Sequence, residues 1–260
     1  MSGRTHRVEQ IWGTAIGLDV RDIVESAIID EVFDWFRHVD DVFSTWRDDT
    51  EISRLGRGEL RLADASADVR AVLTLCDRMT EESRGAFDIR VGADPRVEPR
   101  EGFGPIDPSG LVKGWALDRA GELLQRAGAF NFSINAGGDV LTHGRPEPGA
   151  LWRVGIQHPW DRMSTAMVVG GTDRAVATSG RYERGEHIID PRTGAPPQGL
   201  MSVTVVGDEL AIADGYATAA VVLGREGMEW LAGIGGVEAM GITDDRGVVT
   251  TAGFARYRLE

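Results

Sequence analysis

The chain is short of three things: it has a single cysteine, no run of about 20 apolar residues, and fewer basic than acidic side chains. Each shortage removes a class of function. One thiol, Cys76, can form neither an internal disulfide nor a multi-thiolate metal site. It falls on an apolar face with Val69, Val72, Leu73 and Met79 at helical spacing, which predicts a buried, inert thiol. Without a bilayer-length apolar run no membrane span is expected. The polar start, Met1 to Val8, lacks the apolar core and small-residue cleavage site of a secretory signal, so the expected compartment is the cytoplasm. Lys and Arg number 28 against 41 Asp and Glu, a formal net charge of −13. A chain this acidic repels phosphate backbones and anionic headgroups, so neither nucleic acid nor a membrane surface is an expected partner. One phosphorylated small ligand stays possible if a local cation or metal screens it.

The familiar nucleotide and hydrolase signatures are missing too. Gly102 to Asp107 starts like a dinucleotide fingerprint but lacks the third glycine, contains Pro105 and follows no strand. Lys113-Gly114 has the wrong order and spacing for a P-loop, and there is no G-x-S-x-G or H-E-x-x-H. Any nucleotide chemistry here needs another architecture.

What is present is an ordinary soluble composition: 42% apolar and 27% charged over 260 residues, enough to bury a core. Residues 7–20 alternate as a strand broken at Gly13-Thr14. Ile28, Val32, Trp35, Phe36 and Val39 mark one face of a helix over roughly residues 22–42. A polar loop is expected over 44–60, then helices over 66–82 and from Leu111 to Gly128. Residues 92–109, rich in Pro, Gly and charge, read as a loop. Short strands follow at 132–135, 139–144, 152–157, 167–170, 175–179 and 202–207. Two more helices, 211–223 and 227–232, and strands at 237–243 and 253–259 close the chain. Helices come early and strands late without regular alternation, which predicts an α+β fold.

Four stretches carry candidate chemistry. Gly85-Ala86-Phe87-Asp88 reads on its own as a capping glycine followed by a core Phe. Asp107 to Gly114 leads into a helix. Asp107 or Ser109 can cap it, and a helix start beside Lys113 is equally an anion site. Ser179 to Tyr182 and His187 to Gly194 contain turn pairs and a histidine that opens a short apolar run, the usual setting of a structural His. In Ala213 to Ala220, Asp214 and Thr218 are four apart and share a helix face. A carboxylate, a hydroxyl and nearby carbonyls form an all-oxygen set that suits Mg²⁺ rather than zinc or copper.

In this order, together with Gly13-Thr14, Ser44-Thr45-Trp46, Glu51 to Leu55 and Asn135 to Asp139, these stretches resemble the FAD:protein FMN transferases, the ApbE family. The resemblance covers most of the chain and implies a single T-shaped α+β domain over residues 1–260, its helices packed on mixed or antiparallel strands. It implies Mg²⁺ held by the side chains of Asp214 and Thr218 and by the carbonyls of Gly110 and Ala217. FAD would contact Trp12, Trp46, Ala86, Phe87, Asp88, Asp107, Lys113 and Ile188. Trp46 stands where the family usually has tyrosine, and either ring can stack on a flavin or adenine face. The sequence departs from the family at Trp12, where Met is usual, at Gly56, where Asn is usual, and in a shortened segment between Asp88 and Asp107. It also lacks the lipoprotein signal common in the family.

The implied reaction is attack by a Ser or Thr hydroxyl of an acceptor flavoprotein on the FMN-side phosphorus of FAD, with AMP leaving. His187 is the candidate base, because imidazole accepts a proton near neutral pH. Two rival functions stand beside this one. A Mg-dependent FAD pyrophosphatase would use water in place of the acceptor, and a flavin-binding protein without chemistry would leave Asp214 and Thr218 unexplained.

Overall fold

The computed structural model describes residues 4–90, 106–182 and 188–259. The chain opens with a hairpin of β1 (Thr5–Ile11) and β2 (Thr14–Val20). Its two-residue turn, Trp12 at φ 59° and Gly13 at φ 69°, has both positions in the left-handed region, the turn that matches strand twist. Helix α1 (Ser26–Phe43) follows, burying Ile29, Val32, Phe33, Phe36 and Val39 on one face; of the expected stripe Val32, Phe36 and Val39 are buried, while Ile28 and Trp35 flank the core and are partly buried. It starts four residues later than expected because Asp22 is engaged elsewhere. The Asp22 carboxylate accepts hydrogen bonds from the backbone N–H groups of Phe130 and Asn131, at 2.6 and 2.7 Å.

The expected polar loop contains a short helix, α2 (Glu51–Gly56), opened by Thr50, whose hydroxyl accepts from Ser53 N–H. Its six residues are too few to show a helical period. Then come α3 (Ala67–Glu82), capped by Ser66, and α4 (Ser109–Arg126). Strands β3 (Phe132–Ala136) and β4 (Asp139–His143) form a second hairpin, turned by Gly137 and Gly138. After β5 (Trp152–His158), β6 (Asp161–Gly171), β7 (Arg174–Gly180) and β8 (Leu200–Gly207) come helices α5 (Leu210–Leu223) and α6 (Arg225–Ala232). The chain closes with β9 (Glu238–Thr243), β10 (Val248–Thr250) and β11 (Arg258–Leu259). The segment expected as a closing strand at 253–259 is instead a 3₁₀ turn, Phe254–Tyr257, followed by two strand residues.

Every strand pairing described is antiparallel, and the order of the large sheet is β1-β2-β3-β4-β7-β8-β9-β10. The β5–β6 hairpin leaves the sheet between β4 and β7 and joins β11 in a second, three-stranded sheet. The large sheet is therefore covered twice. The helices and one set of strand side chains, such as Ile16, Leu18, Phe132 and Val203, make the larger core. Val140, Val176, Val206 and Ile242 pack with Val154, Ile156, Val169, Phe254 and Tyr257 in a smaller one. Helices on antiparallel strands make the α+β class predicted from sequence. Cys76 is buried in the larger core, and that burial pushes its thiol up to about 12. No helix among the described residues is long and apolar enough to cross a membrane.

Helix α5 is buried nearly all round, as a helix with no polar face must be. Its small residues allow neighbours very close. A Cβ at Gly114 of α4 would stand 2.5 Å from the Leu210 carbonyl oxygen, so only glycine fits this crossing. Glu209, at the start of α5, makes no side-chain cap. The cap comes from α4: the Asp118 carboxylate accepts from the N–H groups of Leu210 and Ala211, at 2.9 and 2.8 Å. Burial pushes Asp118 up to about 7, against the downward pull of those two N–H groups.

Candidate active site

Where α3 ends, the chain turns sharply. Gly85 N–H donates to Thr80 O and Arg84 N–H to Glu81 O, with both residues at positive φ. This paired C-terminal motif closes a helix and frees the next residues to turn inward. Ala86 and Phe87 are buried, and Phe87 N–H donates to the Ser83 hydroxyl at 2.9 Å. Asp88 stays half-buried and accepts from Arg90 N–H. The capping glycine and core Phe read from the sequence are both present.

At the start of α4 the sequence left Asp107 and Ser109 as alternative caps. Asp107 takes the role, its carboxylate accepting from Ser109 N–H at 3.0 Å. Asp107 N–H in turn donates to Ile89 O at 2.6 Å, tying the helix start to the Phe87 segment. One residue into the helix is Gly110. A Cβ there would lie 3.3 Å from the Phe87 ring and 3.5 Å from the Thr218 hydroxyl oxygen. Gly110, Phe87 and Thr218 are therefore neighbours. Asp214 lies one turn before Thr218 on α5, only 3% exposed, and Ala217 is fully buried.

The strands supply the rest. Ser179 on β7 shares a 2.9 Å hydrogen bond with Thr218 through their hydroxyls. The preceding residue, Thr178, donates its N–H to Asp139 on β4 at 2.9 Å. The other oxygen of Asp139 forms an ion pair with Lys113 on α4. Asp139 is 1% exposed, so this carboxylate is buried against its two partners. Among 28 basic residues Lys113 is the one lysine. Two strands and two helices thus converge, bringing Gly110, Lys113, Asp139, Ser179 and Thr218 into one connected set, with Asp214 one helical turn from Thr218.

Other predicted residues stand apart from this set in their contacts. The Trp12 indole N–H donates to Phe36 O at 3.0 Å, and its ring meets Phe36 edge-on. Trp12 and Gly13 line an open cavity of about 500 Å³ with Glu9, Arg37, Asp40 and Asp41, which contains none of the residues around Thr218. The link between the two regions is the Thr14 hydroxyl, 3.0 Å from where a Cβ of Gly137 would be, so the first hairpin's turn sits beside the turn that leads to Asp139. Trp46 is 95% exposed. Ile188 is buried. His187 lies outside the described residues, as does most of the shortened segment between Asp88 and Asp107.

Asp139 and Ser179 received no role from the sequence, although both lie in the stretches that carry the family resemblance. Their relation becomes visible only once β4 and β7 are known to be neighbours. Among the described residues no group of three or more His, Cys, Asp and Glu side chains could hold a metal ion. A metal at this set would have one carboxylate, hydroxyls and carbonyls, the hard-oxygen donors of a Mg²⁺ site that relies on substrate phosphates for the rest.

Comparison with known proteins agrees along nearly the whole chain. The profile of the ApbE family matches residues 12–97 and 99–241. The FAD:protein FMN transferase of Vibrio cholerae serotype O1 is 30% identical, covering 72% of this chain and 71% of that protein. The solved flavin transferase ApbE from Vibrio cholerae superposes with a TM-score of 0.84 at 26% identity, covering 99% of this chain and 100% of that one. The ApbE protein of Thermotoga maritima superposes with a TM-score of 0.86 over 99% of this chain and 100% of its own. At 20% identity that match speaks for the fold alone.

Proposed function

Because the chain belongs to the ApbE family, we propose that residues 1–260 form one FAD:protein FMN transferase domain that uses Mg²⁺, a Ser or Thr hydroxyl of an acceptor protein, and FAD. FMN transfer from FAD is the activity named for its curated relatives, and the chain is an enzyme of that class. The observation that carries the finer reading is the meeting of α4 and α5 at Thr218, where Gly110 and Ser179 approach one hydroxyl and the buried Asp214 lies one helical turn before it.

The residues there fit the ion. Asp214 is a buried carboxylate one helical turn from the Thr218 hydroxyl, and the chain supplies carbonyls at Gly110 and Ala217. Bound by these four residues, Mg²⁺ would neutralise charge on the pyrophosphate oxygens.

The protein's own groups do the remaining work. Lys113, the fifth residue of α4, adds a fixed cation near the helix start, which already favours an anion. Asp107, Ala86, Phe87, Asp88, Ile188, Trp12 and Trp46 are the contacts for FAD. The acceptor hydroxyl oxygen forms a bond to the FMN-side phosphorus, the bond from that phosphorus to the bridging oxygen breaks, and AMP leaves with that oxygen. The hydroxyl proton passes to the His187 imidazole, whose ordinary titration range suits a base near neutral pH.

The test is the product pattern from FAD, Mg²⁺ and cell extract. Release of AMP with flavin fluorescence retained on a denatured protein band is the expected outcome. AMP with only free FMN would mean a pyrophosphatase, and no AMP would mean a flavin-binding protein. FAD should also bind far better than FMN, because Asp107 and Lys113 lie toward the phosphates and adenylate. Equal affinities in a tryptophan-quenching titration would defeat the pyrophosphate assignment.

A further inference from the structure

One buried acid of the site, Asp139, has no part in the reaction as derived so far. Asp139 opens β4, is 1% exposed, and engages both oxygens: one with the Lys113 ammonium, the other with Thr178 N–H. It therefore joins α4 to β7 at one point, and the next residue on β7, Ser179, is the one that meets Thr218. A buried carboxylate is costly to desolvate and persists where its partners are well placed. This one is placed on the single lysine of the chain.

We propose that Asp139 is a positioning residue for the transfer reaction, acting through Lys113: it keeps the ammonium charged and fixed toward the pyrophosphate. The inference rests on the transferase reading, in which Lys113 faces the phosphates of FAD. A lysine on a flexible four-carbon stem is a mobile point charge, and it needs an anchor to present that charge at one place.

Four proteins decide it: wild type, Lys113→Met, Asp139→Asn and the double variant. Each is checked by circular dichroism, then assayed for FAD affinity and AMP release. Lys113→Met should weaken FAD binding or slow AMP release by at least roughly tenfold, the scale of a lost charge-assisted contact. If it changes neither, Lys113 does not face the nucleotide, the underlying reading fails, and the proposal falls with it. Given that loss, a residue that acts only through Lys113 must be silent once Lys113 is gone. The double variant should then be no slower than Lys113→Met alone, and a further loss would assign Asp139 an independent, structural role and overturn the proposal.

This comparison holds even if Asp139→Asn alone fails to fold, because the double variant leaves no unpaired ammonium at that position. A second readout uses the lone lysine. Reductive methylation with ¹³C-formaldehyde gives Lys113 the only side-chain amine resonance in the spectrum. In Asp139→Asn, or in a further variant Asp139→Ser if Asn does not fold, the amine should lose its proton about one pH unit lower than in wild type, since a contacting carboxylate favours the charged form. An unchanged titration in a folded variant would overturn the proposal, and Asp139→Glu, which keeps the charge, should restore most of the difference.

Discussion

Strands β4 and β7 are neighbours whose two ends do different work. At one end Asp139 and Thr178–Ser179 reach Lys113 and Thr218. At the other, His143 and Arg174 are where the chain leaves for the β5–β6 hairpin and returns. About four residues separate the ends, roughly 13 Å at the usual strand rise. The site end is packed with no slack: at the α4–α5 crossing above it Gly114 admits no side chain. Lys113 and Asp139 are paired there, as are Ser179 and Thr218, and the carboxylates of Asp139 and Asp214 are buried. The hairpin end is polar too, with the Thr142 hydroxyl donating to Arg174 O and His143 beside Asp173; the apolar layer of Val154, Ile156, Val169 and Phe254 lies over the opposite face, against Val140 and Val176. The sheet therefore divides two surroundings, with the candidate site against one face of its central strands and an apolar layer against the other.

The sharpest way to break that contrast is at Asp214. Asp214→Ala should abolish AMP release while leaving circular dichroism unchanged, because a sparse all-oxygen site loses its one carboxylate. Turnover at the wild-type rate, in the variant or in wild type with EDTA, would remove the metal from the site end. His187 comes next in size. His187→Ala should slow transfer by roughly 10²- to 10⁴-fold, the usual worth of general acid–base catalysis. FAD affinity should hardly move. A variant that melts early yet turns over normally would make this histidine a packing residue.

The residues of α5 also show how much of the arrangement the sequence disclosed. Asp214 and Thr218 were legible because a helix's period is known in advance, so four-residue spacing alone puts them on one face. The long amphipathic helices were legible for the same reason, as in α1 with Val32, Phe36 and Val39. Asp139, Ser179 and the capping role of Asp118 were not. Their partners lie across strand pairings and a helix crossing, for which local spacing gives no rule. Helix α2 escaped because one and a half turns carry no measurable period, and the last strand because Phe254 and Tyr257 are apolar for a 3₁₀ turn that packs on the smaller core.

A smaller effect sharpens the comparison through pH. Asp118 is an acid whose burial raises it to about 7 in the fold, against 3.8 for an ordinary aspartate carboxyl. Between those values the folded chain holds a proton that the unfolded chain has released. Its contribution is therefore fully present at low pH and is lost as pH rises from about 4 to 7, at up to about 1 kcal/mol per pH unit. Asp22 and Asp190, both held low, work in the opposite sense. The measurement is accordingly a difference: melting temperature from pH 5 to pH 8 in wild type and in Asp118→Asn. The wild type should lose more stability across the range than the variant. Parallel curves would show that the two N–H groups of α5 hold Asp118 ionised throughout.

The smallest expected effect is the one that tests the divider itself. Ile156 lies on β5, 2% exposed, in the smaller core with Val140 and Val176 of the two central strands. Ile156→Val removes one buried methylene and should cost about 0.5–1.5 kcal/mol. For a chain of this length that is a fall of roughly 2–4 °C per kcal/mol in melting temperature. Val140 is the immediate neighbour of Asp139 in sequence, yet successive strand residues face opposite sides of the sheet. The cavity therefore opens on the side away from Lys113, and a close-packed strand passes on little of it. FAD affinity and the AMP-release rate of the folded protein should match wild type. A variant that keeps its melting temperature but loses rate, or loses both together beyond the fraction unfolded, would mean that β4 and β7 transmit the small core's packing to Asp139 and Ser179, and that the two faces are coupled.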